Sequence, residues 1–116
     1  MEPPQVESYR FGRIVIDGQV YAGDLLLLPS GVLPGWHRGR GHALGPGDLA
    51  AVRDAKPNLL IVGSGAYGRM QVTRQVHDFC AKQGITLLVL ETGAACREYN
   101  LQRANQHTAA ALHLTC

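Results

Sequence analysis

The chain has 116 residues, of which 46% are hydrophobic, and a formal net charge of +2. These values predict one folded domain with one core and exclude a disordered chain. The basic residues are scattered, so charge indicates neither a nucleic-acid nor a membrane partner. No run of about 20 apolar residues occurs, which argues against a membrane span. The first ten residues, MEPPQVESYR, lack the features of a signal peptide or an Arg-rich leader, so we expect a cytoplasmic location.

The first half of the chain is predicted to be rich in antiparallel β-structure. Residues 1–8 are polar and contain two prolines, so we expect a mobile tail followed by a single globular domain over residues 9–116. Asp17-Gly18 lies between two apolar runs, which predicts a tight hairpin. The further elements predicted here are two strands and one short helix, over residues 24–28, 32–36 and 46–54.

The second half alternates between strands and helices. Leu59–Val62 is apolar throughout, which is typical of a strand covered on both faces. The elements predicted after it are a helix, a strand, a helix capped by Thr92 and a weaker strand, over 70–83, 85–90, 93–105 and 109–114. We therefore predict an α/β fold in one compact domain, with an α+β first half and a β-α-β-α-β second half whose parallel strands are neighbours.

Gly63-Ser64-Gly65-Ala66-Tyr67-Gly68 follows the first of these strands and matches the pattern G-x-G-x-x-G. Such a turn can hold a pyrophosphate, and Glu91 lies where a ribose-binding acid would be expected. The chain has no room for a second mononucleotide-binding half, however, and Arg69 and Met70 follow where a small residue is usual. The sequence favours a tight turn that uses glycine for positive φ, and leaves a small anion bound by the same N–H groups as the alternative.

The next turn, ETGAACREYNLQ over residues 91–102, contains a cysteine in the first turn of a predicted helix. A helix N-terminus and the adjacent Arg97 would lower the pKa of the Cys96 thiol, as in a reactive cysteine. The alternative is a small buried side chain that packs beneath the sheet. The three cysteines and five histidines show no zinc-type or C-x-x-C spacing, so we expect no metal and no cofactor.

The string TGAACREYN, with VGSGA before it, resembles a small family of bacterial and archaeal proteins of unknown function. Two eukaryotic branches belong to that family: the mitochondrial complex I assembly factor 3 and an adipogenesis-associated protein. The resemblance extends over residues 9–114, and further matching pieces are Phe11-Gly12, Trp36, Gly41-His42, Asp48-Leu49 and Pro57.

The resemblance implies a compact α/β domain with no established enzymatic activity. Its best-understood branch acts through protein contacts in respiratory complex assembly. Since the first residues lack a mitochondrial leader, we expect a bacterial, cytoplasmic member, to which that role applies only by analogy. Arg103–His107 departs from an acidic-Gly-Arg-like stretch common in the family, so any site that uses that stretch is altered here.

If strands 59–62 and 86–90 are parallel neighbours, both glycine-rich turns emerge at one edge of the sheet. Two helix N-termini and two guanidinium groups there would favour a phosphate or a carboxylate. The ligand-binding residues predicted for this crevice are Gly63, Ser64, Gly65, Arg69, Thr92, Gly93, Cys96 and Arg97. The glycine-rich loop from Trp36 to His42 is expected to act as a lid, and Cys96 and His42 are weak catalytic candidates.

Three functions remain, in this order. The first is an accessory or assembly protein that binds a protein partner as a monomer or weak homodimer, for which an exposed apolar patch near Trp36 would be support. The second is a small-anion or nucleotide-binding module. The third is an enzyme with Cys96 as nucleophile and His42 or His77 as base.

Overall fold

The structure is a computed structural model that describes residues 2–40 and 42–116. The described residues form ten strands and three helices, with a 3-10 turn over Pro46–Leu49 before the first helix. The strands are β1 (Val6–Arg10), β2 (Arg13–Ile16), β3 (Gln19–Tyr21), β4 (Leu25–Leu28), β5 (Gly31–Pro34), β6 (Ala43–Leu44), β7 (Leu59–Gly63), β8 (Gln71–Val72), β9 (Thr86–Leu90) and β10 (Thr108–Leu112). The helices are α1 (Ala50–Ala55), α2 (Arg74–Gln83) and α3 (Thr92–Gln102).

A five-stranded sheet in the order β5-β4-β10-β7-β9 forms the centre of the molecule. β7 runs parallel to both β10 and β9, whereas β4 runs antiparallel to β10 and β5. The predicted fold class, with parallel neighbours in the second half, is confirmed. β10 was expected to be a weak last strand, but it lies in the middle of the sheet with all five residues buried.

Helices cover both faces of this sheet. On one face, α3 and the β1–β2–β3 sheet enclose a core that includes Ile14, Leu25 and Tyr99. On the other face, α1 and α2 enclose a second core that includes Trp36, Val52 and Val76. Apolar cover on both faces explains why β7 is apolar at every position before its glycine. No helix in the described ranges is long and apolar enough to cross a membrane.

The N-terminal sheet is a meander built on the predicted hairpin. Asp17 and Gly18 both have positive φ, 49° and 80°, as a tight turn between right-twisted strands requires. The tail prediction is wrong for residues 6–8, which belong to β1. Asn100 of α3 pairs with both the N–H and the C=O of Val6, and this side chain fixes the start of the strand. Met1 lies outside the described residues.

Two helix starts differ from the prediction. α2 begins at Arg74 rather than residue 70, because Gln71 and Val72 pair in parallel with β6 as strand β8. α3 begins at Thr92 itself, and the Thr92 hydroxyl makes no cap hydrogen bond. The first glycine turn is therefore followed by a strand, and the dipole of α2 begins several residues beyond it.

Candidate functional site

The carboxyl ends of β7, β9 and β10 meet at one edge of the sheet, where Gly63 lies in register with Leu90 and Leu112. Thr92 joins the two glycine-rich turns at this edge. Its Oγ1 accepts a hydrogen bond from the Gly65 N–H at 2.8 Å and donates one to the His113 carbonyl at 2.6 Å. The hydroxyl predicted to cap a helix thus serves as a buried tie between three chain segments.

The first glycine turn is filled by the chain itself. The N–H groups of Ala66, Tyr67 and Arg69 donate to the carbonyl oxygens of Thr115, Cys116 and Cys116, at 2.7, 3.3 and 3.1 Å. Because these donors already have acceptors, the loop offers no free row of N–H groups for a pyrophosphate. The dinucleotide interpretation therefore has no geometric support.

Gly65 explains why this turn contains glycine. Its φ is +111°, and a Cβ built on it would lie 2.2 Å from the carbonyl carbon of Cys116. Any other residue would be strained and would collide with backbone. Close approach of residues 115–116, rather than of a phosphate, is what the glycine at this position permits.

A second group of predicted residues lies at the start of α3, on the face of the sheet covered by β1. They border a cleft of about 150 Å³, called here the α3 cleft. Its lining residues are Val6, Glu7, Ser8, Tyr9, Gly93, Cys96, Arg97 and Asn100. The N–H groups of Gly93 and Ala94 have no hydrogen-bond partner among the described residues. Glu7 is directed to the Gly18 N–H, which it accepts.

The eight predicted ligand residues therefore fall into separate groups. Gly63, Ser64, Gly65 and Thr92 are buried together at the sheet edge, and Gly93, Cys96 and Arg97 line the α3 cleft. Arg69 is exposed beside the first turn and does not line that cleft. The two guanidinium groups are not brought to one pocket.

Cys96 is buried at the bottom of this region. Burial raises the pKa of its thiol to about 12, and the charge of Arg97 offsets only part of that rise. The predicted lowering of this pKa is wrong, because the cost of burying a thiolate exceeds the favourable charge nearby. No described histidine or carboxylate makes a hydrogen bond to its sulfur. Burial also raises the pKa of Tyr9, whose hydroxyl donates to the Leu114 carbonyl at 2.8 Å.

A cluster that sequence reasoning missed lies near the same edge and is called here the Asp24 cluster (Asp24, Arg38 and His113). Asp24 Oδ2 lies 2.7 Å from His113 Nδ1 and 2.8 Å from Arg38 Nη1. Side-chain exposures are 15% for Asp24, 7% for Arg38 and 6% for His113. Burial alone would raise the pKa of Asp24, but hydrogen bonds from the Leu114 N–H, His113 and Arg38 outweigh it and lower that pKa.

His113 has one ring nitrogen on Asp24 and one without a partner. Nδ1, at 2.7 Å from a carboxylate oxygen, carries the proton, so Nε2 of the neutral ring is an acceptor. Nε2 is buried and has no hydrogen-bond partner within the described part of the chain. No group of three or more metal-ligating side chains occurs in residues 2–40 and 42–116. Asp24 and His113 are 89 residues apart and meet only because β4 pairs with β10.

The loop predicted as a lid is fastened to the domain. Trp36 is buried, and its indole N–H donates to the Asp48 carbonyl at 2.9 Å. The Arg38 guanidinium lies 5.0 Å from the centre of the Trp36 rings. The Asp48 carboxylate accepts the N–H groups of Gly39 and Gly45. Trp36 thus contributes no exposed apolar patch, and the exposed His42 has its ring 5.7 Å from that of His113.

The segment that departs from the family pattern, Arg103–His107, borders a different cleft of about 430 Å³. Arg103 Nη1 donates to the carbonyl of Pro3 at 2.8 Å. This arginine therefore holds the N-terminal segment against the end of α3.

The fold and this sheet edge define a small α+β domain of the kind found among uncharacterised proteins. Residues 6–113 match the model of a family described as "Protein of unknown function (DUF498/DUF598)", and the chain belongs to that family.

Solved structures agree with this assignment. A conserved hypothetical protein from Pyrococcus horikoshii is 24% identical, with a TM-score of 0.88 over 97% of this chain and 99% of that one. A Rhodopseudomonas palustris protein is 28% identical, with a TM-score of 0.73 over 93% and 81%. A Bordetella pertussis protein described as a Mth938-like domain is 20% identical, with a TM-score of 0.67 over 96% and 85%.

Proposed function

We propose that this protein is a non-catalytic accessory protein that binds a small anionic group in the α3 cleft. One observation carries the proposal: two backbone N–H groups without partners, those of Gly93 and Ala94, begin α3 beside the side chain of Arg97. N–H groups at a helix start and a guanidinium group are the donors that proteins use for phosphate and carboxylate. A cytoplasmic location is part of the proposal.

The electrostatics of the α3 cleft predict weak binding. Each hydrogen bond to a charged group contributes about 1.5–3 kcal/mol, and the helix N-terminus adds about 0.3–1 kcal/mol. The entropic cost of association offsets much of this sum. We therefore expect a Kd on the order of 1 mM for inorganic phosphate, and tighter binding when the anionic group belongs to a larger partner.

The high pKa of the Cys96 thiol is the argument against a cysteine enzyme. A thiol with a pKa of about 12 is almost entirely protonated near neutral pH, and only the thiolate is a good nucleophile. The two proposed bases, His42 and His77, are exposed, and neither has a hydrogen bond to its sulfur in the described structure. The proposal therefore gives Cys96 a packing role.

An NMR titration of the full chain with inorganic phosphate, up to about 20 mM, tests the anion proposal. We expect the amide signals of Gly93 and Ala94 to shift and saturate. Arg97→Gln should weaken the binding about tenfold, as expected for about 1.4 kcal/mol. Arg69→Gln removes the same charge from an exposed position outside the cleft and should leave the binding unchanged.

Two results would contradict the anion proposal. One is the absence of shifts at Gly93 and Ala94 when chloride at equal ionic strength is the reference. The other is an equal loss of binding in the Arg69 and Arg97 variants, because it would indicate a general charge effect.

The accessory role also requires a surface for a protein partner. Phe11 and Tyr67 are 54% and 68% exposed, and their rings lie 6.1 Å apart. Exposed aromatic pairs are enriched at protein interfaces. By analogy with the complex I assembly branch, we expect the partner to be a subunit of a larger assembly.

A photo-crosslinking amino acid in place of Tyr67 tests this second component in an extract of the source organism. The matched control has it in place of Val20, which is 52% exposed on β3. Capture of the same assembly subunit at position 67 and not at position 20 is expected. Identical capture at both positions would refute the assignment of this surface.

A further inference from the structure

The free edge of β9 is the feature of the fold that neither the α3 cleft nor the aromatic pair uses. β9 pairs with β7 on one side and with no other strand of the described chain. It is apolar after Thr86, yet none of its five residues is buried, whereas all five residues of β7 and of β10 are. A half-exposed apolar edge strand is a template for pairing with another chain.

The hydrogen bonds to β7 show which backbone groups of β9 are unused. The Thr86 N–H donates to the Asn58 carbonyl at 2.9 Å, and the Leu90 carbonyl accepts from the Ser64 N–H at 2.8 Å. Since backbone direction alternates along a strand, Thr86, Leu88 and Leu90 face β7. Leu87 and Val89 therefore direct their N–H and C=O groups toward the open side.

The opposite edge of the same sheet is protected. β5 is four residues long, begins at Gly31 and ends at Pro34. Short length, glycine and proline are the devices that prevent edge pairing. The contrast marks β9, and not β5, as the edge that is open to a further strand.

We propose that β9 pairs with β9 of a second copy of this chain, antiparallel about a two-fold axis at Leu88. In this register Leu87 of one copy lies opposite Val89 of the other, and both are residues with outward backbone groups. The two such pairs exchange hydrogen bonds, while Leu88 faces Leu88 in the closer, non-hydrogen-bonded pair. Two five-stranded sheets become one continuous sheet, and this inference is independent of the anion proposal.

The charges at the two ends of β9 favour a second copy over an unrelated strand. Lys82 lies in the last turn of α2 before β9, and Glu91 follows its last residue. Both are exposed, and neither has an ion-pair partner in the part of the chain that the structure describes. Antiparallel pairing brings the Lys82 end of one copy beside Glu91 of the other, so each interface contains the complementary charges twice.

A strand-edge interface of this size is small. Interfaces below about 1,200 Å² are typical of weak and transient association. We therefore expect a dimer with a Kd of about 10–100 µM rather than an obligate dimer.

Sedimentation velocity of the full chain, from about 5 µM to about 1 mM, tests the proposal across that range of Kd. Val89→Pro removes an N–H that forms no hydrogen bond within one copy, and Val89→Lys adds a charge at the edge. Leu33→Lys on β5 is the matched control, because Leu33 is 44% exposed and Val89 is 37% exposed. We expect wild type and Leu33→Lys to dimerise, and both Val89 variants to remain monomeric.

Hydrogen exchange adds a residue-level measurement. The amides of Leu87 and Val89 should become more protected as the concentration rises, while protection of Thr86 and Leu88 stays constant. A wild-type chain that is monomeric throughout the range would overturn the proposal, as would a dimer that persists in Val89→Lys. Circular dichroism checks the fold, and if Val89→Pro unfolds, Val89→Lys alone decides the result.

Discussion

Substitution of Gly65 by alanine tests whether the first glycine turn exists to hold the segment Thr115–Cys116. The added Cβ would lie 2.2 Å from the Cys116 carbonyl carbon, a distance that backbone atoms cannot tolerate. The segment must therefore move away from the turn. Gly68→Ala is the matched control, because its φ is also positive, +67°, but its Cβ would meet only the Glu91 side chain, at 3.3 Å.

The two substitutions differ in predicted cost. Both carry backbone strain of about 1 kcal/mol or more. Only Gly65→Ala also breaks the three hydrogen bonds from Ala66, Tyr67 and Arg69, each worth about 0.5–1.5 kcal/mol. After allowance for the freedom that the released segment regains, we expect a loss of about 3 kcal/mol for Gly65→Ala and about 1 kcal/mol for Gly68→Ala.

Urea unfolding followed by the fluorescence of Trp36, the single tryptophan, measures these losses. Thiol labelling gives a second measurement, because Cys116 is partly exposed whereas Cys80 and Cys96 are buried. Cys116 should react faster in Gly65→Ala than in wild type and unchanged in Gly68→Ala. Equal stability losses in the two variants, with equal Cys116 labelling, would refute the idea that the turn anchors this segment.

Three further predictions concern the buried polar groups. Asp24→Asn should lower stability by about 3–5 kcal/mol, because it leaves the buried charge of Arg38 without its carboxylate partner. Since the folded-state pKa of Asp24 is lowered, its stabilising effect is present above the unfolded value of about 4 and is lost as pH falls through the folded value, so the urea midpoints of the two proteins should converge in acid. Cys96 should resist thiol reagents at pH 8 in the folded protein and react only on unfolding; fast labelling there would contradict the pKa of about 12. Tyr99→Phe should cost about 1 kcal/mol through loss of the hydrogen bond to the Pro4 carbonyl, and an unchanged urea midpoint would count against that bond.

The features that sequence predicted correctly are local ones. Asp17-Gly18 specifies its turn through the φ values that these two residues accept. The neighbouring parallel strands β7 and β9 follow from two apolar runs separated by a helix. In each case the signal lies within one short stretch, so no distant contact was needed.

The features that were missed depend on distant pairing. Ala109–Ala111 of β10 have no strong strand propensity, yet they occupy the middle of the sheet because small side chains fit between two layers of helices. The ion pair between Asp24 and His113 depends on the same placement. Gln71 and Val72 are extended only because β6 lies beside them, and this pairing delays the start of α2.

The position of β10 has a consequence for how this protein reaches its native state. β10 comes last of the ten strands in the sequence, but it is the strand that joins β4 to β7. Before it is in place, the β4–β5 hairpin and the β7–β9 pair share no backbone ladder, so the two halves form separate units. Insertion of residues 108–112 between them completes the sheet in one late, non-local step, and such steps are slow. A chain still being synthesised therefore keeps both halves of its sheet apart until β10 has emerged from the ribosome.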